Sequence, residues 1–161
     1  MDTRDVAELV IRPFETADAP AVSALIATTM RRSNAADYPA ERLEALIAYF
    51  TPEQLRQLAT ERQCLVALSA GQVVATAARE DGELLTFFVH PDCQGRGVGT
   101  RLLMELEGAA RRGGVTTLRV EASLTGAAFY ERRGYRRLGG LVPGTAGPHV
   151  PLVKALCDDA G

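Results

Sequence analysis

FFVHPDCQGRGVGTRLL, residues 87–103, is the stretch on which the fold turns. It starts apolar and β-prone, and His90-Pro91 ends that run, because the residue before a proline is held extended and proline cannot donate to a ladder. It finishes as a helix in which Val98, Leu102, Leu103, Leu106, Ala109 and Ala110 recur at helical spacing, with Arg101, Glu105, Arg111 and Arg112 on the wet face and Gly113-Gly114 as the stop. Between strand and helix stand Gly95, Gly97 and Gly99. Without β-carbons there, several backbone N–H groups can turn toward one point at the positive end of the helix dipole, a geometry that binds phosphate. A nucleoside-triphosphate loop would need Lys followed by Ser or Thr, and a dinucleotide loop a third glycine at Thr100 or Leu102; the segment has neither.

Upstream, QCLVALSA (63–70), VVATAARE (73–80) and ELLTFFV (83–89) read as three strands joined by turns at Gly71 and Asp81-Gly82. Before them come a short strand, Leu9 to Phe14, and three helices. The first is capped by Asp18 and carries Val22, Leu25, Ile26 and Met30; the second carries Leu43, Leu46, Ile47 and Phe50; the third is capped by Thr51-Pro52 and runs to about Glu61. Downstream, Val115 to Glu121 is a strand, Thr125 to Arg133 a helix stopped by Gly134, and Tyr135 to Val142 and Val150 to Leu156 are closing strands around a Gly/Pro-rich loop. The strand-helix-strand unit from Leu84 to Glu121 demands a right-handed parallel crossover inside a mostly antiparallel sheet. The expected class is α/β in the α+β sense: a mixed seven-stranded sheet flanked by helices, one domain over residues 1–161 with its core at about 9–156.

The chain has 161 residues, 47% of them hydrophobic and 24% charged, enough for a core that needs no disulfide or metal staple. Cys64, Cys93 and Cys157 are three widely spaced cysteines without a CxxC pair, so neither a zinc cage nor a disulfide framework is expected, and Cys93 reads as an exposed thiol beside the glycine turn. His90 and Cys93 on one turn lack a second pair of ligands, and no metal is expected. No apolar run approaches the length of a membrane span, and MDTRDVAELV carries acids where a secretion signal has basic and apolar residues; a cytoplasmic protein with no membrane partner is expected. The net charge of -2 argues against a nucleic-acid partner. It hides a gradient: residues 1–90 hold eight arginines against thirteen acids, and residues 91–161 hold ten cations against seven acids, so an anionic ligand prefers the second half. Lys154 is the only lysine.

Gln94-x-x-Gly97-x-Gly99 after a strand ending in Val-His-Pro resembles the acyl-CoA pyrophosphate loop of the GCN5-related N-acetyltransferase (GNAT) superfamily. VEAS (120–123) followed by LTGAAFYERRGY (124–135) is similar to the second motif of that family and lies at the usual distance downstream. The resemblance implies the GNAT fold and an acetyl-CoA-dependent N-acetyltransferase of the kind found among small bacterial enzymes with undefined acceptors, moving acetyl to a primary amine of a small molecule, peptide or protein by direct attack in a ternary complex. A non-catalytic acyl-CoA sensor or interaction module is the alternative.

Carried over residue by residue, the resemblance implies that the loop of Gln94, Gly95, Arg96, Gly97, Val98, Gly99 and Thr100 holds the pyrophosphate, with Arg101 adding charge near the nucleotide. Phe87, Phe88 and Val89 would pair their backbone with the pantetheine arm, and the N–H of Val89 would polarise the thioester carbonyl. Tyr130 would be the general acid for the departing thiolate, with Phe129 beside it in the core. Ser123 stands where many relatives have an Asn that reaches the pantetheine. The segment Arg31 to Glu61, with Tyr38 at its middle, would shape the acceptor site. Glu83, Glu80, Glu121, Asp81, a water chain and, more loosely, His149 stay open as the base. The cluster Arg132, Arg133, Arg136 and Arg137 reads as coenzyme A contacts or a solvated face, ahead of a surface for a nucleic acid such as a charged transfer RNA. Homodimerisation through the last two strands stays open.

Overall fold

The computed structural model describes residues 8–143 and 148–156. Strands β1 (Val10–Pro13), β2 (Gln63–Ser69), β3 (Gln72–Glu80), β4 (Glu83–Val89), β5 (Thr117–Ala122), β6 (Arg136–Arg137) and β7 (Val150–Ala155) form one sheet in the order β1-β2-β3-β4-β5-β7-β6. Neighbours are antiparallel except β4 and β5, which run parallel across the predicted crossover. Helices α1 (Ala19–Ser33), α2 (Ala40–Tyr49) and α3 (Pro52–Glu61) precede β2; α4 (Val98–Arg112) and α5 (Ala127–Glu131) flank β5.

The sheet is covered on both faces, which explains why its inner strands read as unbroken apolar runs. On β2, Leu65 and Ala67 join Leu102, Leu103 and Leu106 of α4, while Val66 between them joins Val22 and Ile26 of α1 and Leu55 of α3. Each fully buried Leu or Ile contributes about 1.5–3 kcal/mol relative to exposure. The predicted stripe of α4 is buried at Val98, Leu102, Leu103, Leu106 and Ala110, and Ala109 is half-buried. Thr51 caps α3 as expected, its side chain accepting from the N–H of Gln54 at 3.1 Å. Among the described residues no helix is long and apolar enough to cross a membrane.

Four expectations need correction. Asp18 makes no side-chain cap to α1. It accepts from the N–H of Glu15 at 2.7 Å and from both terminal nitrogens of Arg12 at 2.8 and 2.9 Å, which ties β1 to the start of α1 and holds its carboxyl below the usual range. The helix predicted for 125–133 is only Ala127–Glu131, because the backbone and side chain of Ser123 turn the chain through Gly126 before a helix can begin. The strand predicted for 135–142 reduces to Arg136–Arg137 and one bridge from Val142 to His149, because the exposed Gly139-Gly140 pair has no side chains to hold a ladder. Cys93 is buried at 5% exposure, since the turn Pro91–Cys93 folds it under the sheet; Cys157 lies outside the described residues.

Candidate active site

The site begins as an irregularity in β4. Its partners on β3 step from Ala77↔Phe87 to Arg79↔Leu84, so β4 carries one extra residue around Leu85 and Thr86. A bulge of this kind bends and twists its strand. On its other edge β4 is paired with β5 only at Glu83↔Arg119 and Leu84↔Val120, and beyond the bulge the two strands part. A cavity of about 690 Å³ fills the wedge, walled by Phe87, Phe88 and Val89 on one side and by Val120, Ala122 and Ser123 on the other. That volume is in the range of small-molecule and cofactor sites.

Parting leaves a free strand edge. The N–H of His90 bonds back to Val74 on the β3 side at 2.8 Å, so strand alternation aims the N–H groups of Val89 and Phe87 into the wedge. The Val89 carbonyl already accepts from the Gln94 side chain at 3.0 Å, which leaves its N–H as the available group. Gln94 also donates to Ser33 at 3.1 Å, and Arg32 pairs with Asp92 at 2.9 Å, so the end of α1 is clasped to the turn after β4.

That turn enters α4 through Gly97, the N-cap, at φ 85, a left-handed conformation that a β-carbon disfavours. Gly95, Gly97, Gly99 and Thr100 all face the cavity at the helix N-terminus. Gly99 is constrained by space: a β-carbon there would sit 3.0 Å from the Phe129 ring and 3.4 Å from Val89. Val98 turns into the core at 1% exposure and has only its backbone to offer, and neither it nor Arg96 lines the cavity. Arg101 is exposed and reaches the Leu9 carbonyl at 3.5 Å, away from the cavity wall.

Across the wedge stands Tyr130, buried at 6% exposure but touching the cavity. Its ring packs edge-on against Phe87, Phe129 and Tyr135, with centroids 5.8, 5.2 and 5.5 Å away. The hydroxyl has no hydrogen-bond partner among the described residues. Burial pushes this phenol above its ordinary range, so it stays protonated at neutral pH. Behind it lies a buried polar knot: Glu107 accepts from the Tyr135 hydroxyl at 2.8 Å and from Lys154 at 3.1 Å. Lys154, the single lysine, is therefore the counter-ion of a buried carboxylate on α4 that the sequence reading did not single out.

The other end of the cavity is shaped by Met30, Ser33, Asn34 and Tyr38, so the region around Tyr38 does contribute, while α2 and α3 do not reach the wall. Asn34 donates to Asp37 at 3.1 Å and to Ser123 at 3.3 Å, and Thr125 donates to Asp37 at 2.8 Å, linking the two sides of the wedge. No periodicity would have revealed Asn34 and Asp37, which lie in an irregular turn. Of the acids considered as a base, Glu121 alone lines the cavity, with His149 Nε2 3.6 Å from its carboxylate and Arg119 at 4.0 Å. Glu80, Asp81 and Glu83 sit at the far end of β4, about 20 Å along the strand from Val89. The arginine cluster is divided: Arg132 and Arg133 face the cavity, whereas Arg137 pairs with Glu131 at 2.9 Å on β6. Among the described residues no three metal-ligating side chains converge.

The comparisons agree with this geometry. Residues 34–156 match the family model described as an acetyltransferase (GNAT) domain. No curated protein matches the chain. A GCN5-related N-acetyltransferase structure from Rhodopseudomonas palustris is 28% identical, with a TM-score of 0.83 over 91% of this chain and 94% of that one. The PaiA N-acetyltransferase of Thermoplasma acidophilum, solved with coenzyme A, is 17% identical with a TM-score of 0.79 over 92% and 99%. The ribosomal-protein-S18-alanine N-acetyltransferase of Escherichia coli is 21% identical with a TM-score of 0.65 over 95% and 98%. With strands β4 and β5 splayed beside a glycine turn and the family model spanning most of its length, the chain belongs to the GNAT acetyltransferases.

Proposed function

We propose that the protein is an acetyl-CoA-dependent N-acetyltransferase that passes the acetyl group directly to a primary amine. The observation that carries this reading is the single cavity shared by the Gly95–Thr100 turn, the free edge of β4 and the unpartnered Tyr130 hydroxyl. Acetyl-CoA supplies the activated acyl group as a thioester. The residues fit that cosubstrate: backbone N–H groups at the N-terminus of α4 suit a pyrophosphate, and an extended strand edge suits the pantetheine amides.

Each remaining requirement of the reaction has a residue. The N–H of Val89, turned away from β3 by strand alternation, points into the wedge where a developing oxyanion needs a donor. Tyr130, neutral and poorly solvated, donates its proton to the departing sulfur. An amine arrives as an ammonium group and must lose a proton before it attacks; Glu121, backed by His149, is the acid on the cavity wall that receives it. Met30, Asn34 and Tyr38 set the shape of the acceptor end.

Thermal unfolding against rising acetyl-CoA tests the cosubstrate. At 100 times Kd the gain is about 2.7 kcal/mol, a shift of several degrees for a domain of this size. An amine panel read by release of free thiol then tests transfer, with Glu121→Gln expected to lose rate at neutral pH while still binding acetyl-CoA. Absence of any shift at millimolar acetyl-CoA would overturn the reading.

A further inference from the structure

The alternation that turns the Val89 N–H into the wedge turns its carbonyl there as well, since both backbone groups of one residue in an antiparallel strand face the same edge. Ala75 stands opposite Val89, and the bond between the two strands is made one residue on, from the N–H of His90 to the Val74 carbonyl at 2.8 Å. A bare β4 edge would therefore offer an acceptor beside its donor at the reacting end of the cavity. An uncovered carbonyl oxygen in that place repels a developing oxyanion, and it draws in the ammonium form of an acceptor amine and holds the proton that must leave.

Gln94 covers that oxygen. Its Nε2 donates to the Val89 carbonyl at 3.0 Å and to Ser33 Oγ at 3.1 Å, which gives both protons of the carboxamide nitrogen a partner. Gln94 is exposed, so ordering it costs rotamer freedom, and the net worth of one exposed hydrogen bond does not exceed that cost. The second bond tips the balance. Ser33 supplies it from a fixed position: it is the last residue of α1, half-buried on the cavity wall, and α1 is packed through Val22, Ile26 and Met30 against Val66 of β2 and Phe88 of β4. The neighbouring link from Arg32 to Asp92, at 2.9 Å, joins the same two segments, but more than half of each side chain lies in water and the pair holds them only weakly.

We propose that Ser33 is a positioning residue for acyl transfer: by fixing the Gln94 carboxamide on the Val89 carbonyl, it keeps the reacting end of β4 an edge of donors alone. This rests on the N-acetyltransferase reading above, with the Val89 N–H as the donor to the thioester, and goes beyond it by giving a residue of α1 a part in the reaction.

Isotope-edited infrared spectroscopy of acetyl-CoA, labelled at its thioester carbonyl and bound to the full chain, reads the polarisation directly and needs no acceptor amine. Calorimetry gives Kd for the same samples. Wild type, Ser33→Ala, Ser33→Thr, Gln94→Met and the Ser33→Ala/Gln94→Met double variant are compared; Gln94 is exposed, so its variant keeps the fold. In wild type the bound carbonyl is expected to stretch at a lower frequency than in free acetyl-CoA. Ser33→Ala is expected to lose most of that shift with Kd unchanged, and Ser33→Thr, which keeps the hydroxyl, to retain it. Gln94→Met is expected to lose the shift too, and adding Ser33→Ala to it should move the band no further, because Ser33 acts through Gln94. A wild-type frequency in Ser33→Ala would overturn the proposal and leave the N-acetyltransferase reading standing. A further displacement in the double variant would also overturn it, since Ser33 would then act by another route. Acetyl-CoA bound to wild type with no lowering of the stretch would remove both Val89 and Ser33 from these roles, and absence of binding would remove the cosubstrate reading with them.

Discussion

Tyr135 donates its hydroxyl to the Glu107 carboxylate at 2.8 Å, joining the chain after α5 to the middle of α4 across a site where both side chains are buried. The Tyr135 ring then meets Tyr130 edge-on at 5.5 Å, so the proton donor we propose is braced by a residue that is itself anchored to a buried charge. Lys154 completes the anchor from β7 at 3.1 Å. Removing one partner leaves the others stranded. Tyr135→Phe is expected to cost about 1–3 kcal/mol, and Lys154→Met about 3–5 kcal/mol because Glu107 is left uncompensated. Urea denaturation of both variants checks the order; a Lys154→Met protein as stable as wild type would contradict the anchoring role.

Tyr130→Phe keeps the ring packing and removes only a hydroxyl with no partner among the described residues. It should fold with near wild-type stability and bind acetyl-CoA with unchanged affinity, while turnover falls about 10²–10⁴-fold. Stopped-flow thiol release alongside calorimetry separates the two effects. Equal turnover in the variant would remove Tyr130 from the mechanism.

At Gly99 a β-carbon would press on the Phe129 ring at 3.0 Å, and that ring also carries the Arg133 guanidinium. Gly99→Ala should therefore cost about 1–3 kcal/mol as overpacking and weaken acetyl-CoA binding through the displaced ring. Measured melting temperature and Kd should move together; a variant that loses neither would show that Phe129 yields freely.

High pH tests the buried phenols. Burial raises both Tyr130 and Tyr135 above the ordinary range, Tyr135 further through the nearby Glu107 carboxylate. A folded-state pKa above the unfolded one means stability that is whole below about pH 10 and is lost as pH rises beyond it. Alkaline unfolding followed by circular dichroism should coincide with the late rise in tyrosinate absorbance, and Tyr135→Phe should soften that pH dependence. Early, separate ionisation of both phenols in the folded protein would refute it.

At low pH the sign reverses. Arg12 holds the Asp18 carboxyl below its usual value, so the pair contributes stability above about pH 4 that is lost as pH falls through the lowered folded-state pKa. Asp18→Asn should lose about 1–3 kcal/mol at pH 7 and show a flatter acid limb in a melting-temperature series. An unchanged limb would show that other carboxylates govern acid unfolding.

The order of strands and helices, the parallel crossover and the glycine turn were all legible in the chain, because each is written in local terms: two- or 3.6-residue periodicity, Asp81-Gly82 at a turn, prolines at element ends. The weak points were places where a side chain acts on a distant partner. Asp18 looks like a cap and is instead the partner of Arg12; Glu107, which no local pattern singles out, is buried against Tyr135 and Lys154. Cys93 looks exposed and is buried by a single turn.

By itself, the sequence determined the alternation of elements, the glycine turn at the head of α4 and the presence of Tyr130 at a fixed distance downstream, since backbone sterics and hydrophobic periodicity act over a few residues. Only the tertiary structure decided which groups share a space. The parting of β4 from β5 after Leu84↔Val120, the placement of Glu121 but not Glu80, Asp81 or Glu83 on the cavity wall, and the division of the arginines between cavity and β6 depend on a bulge and a sheet order that set residues far apart in sequence side by side. Packing and electrostatics act through space, and a strand that bends by one extra residue changes which side chains face the same water.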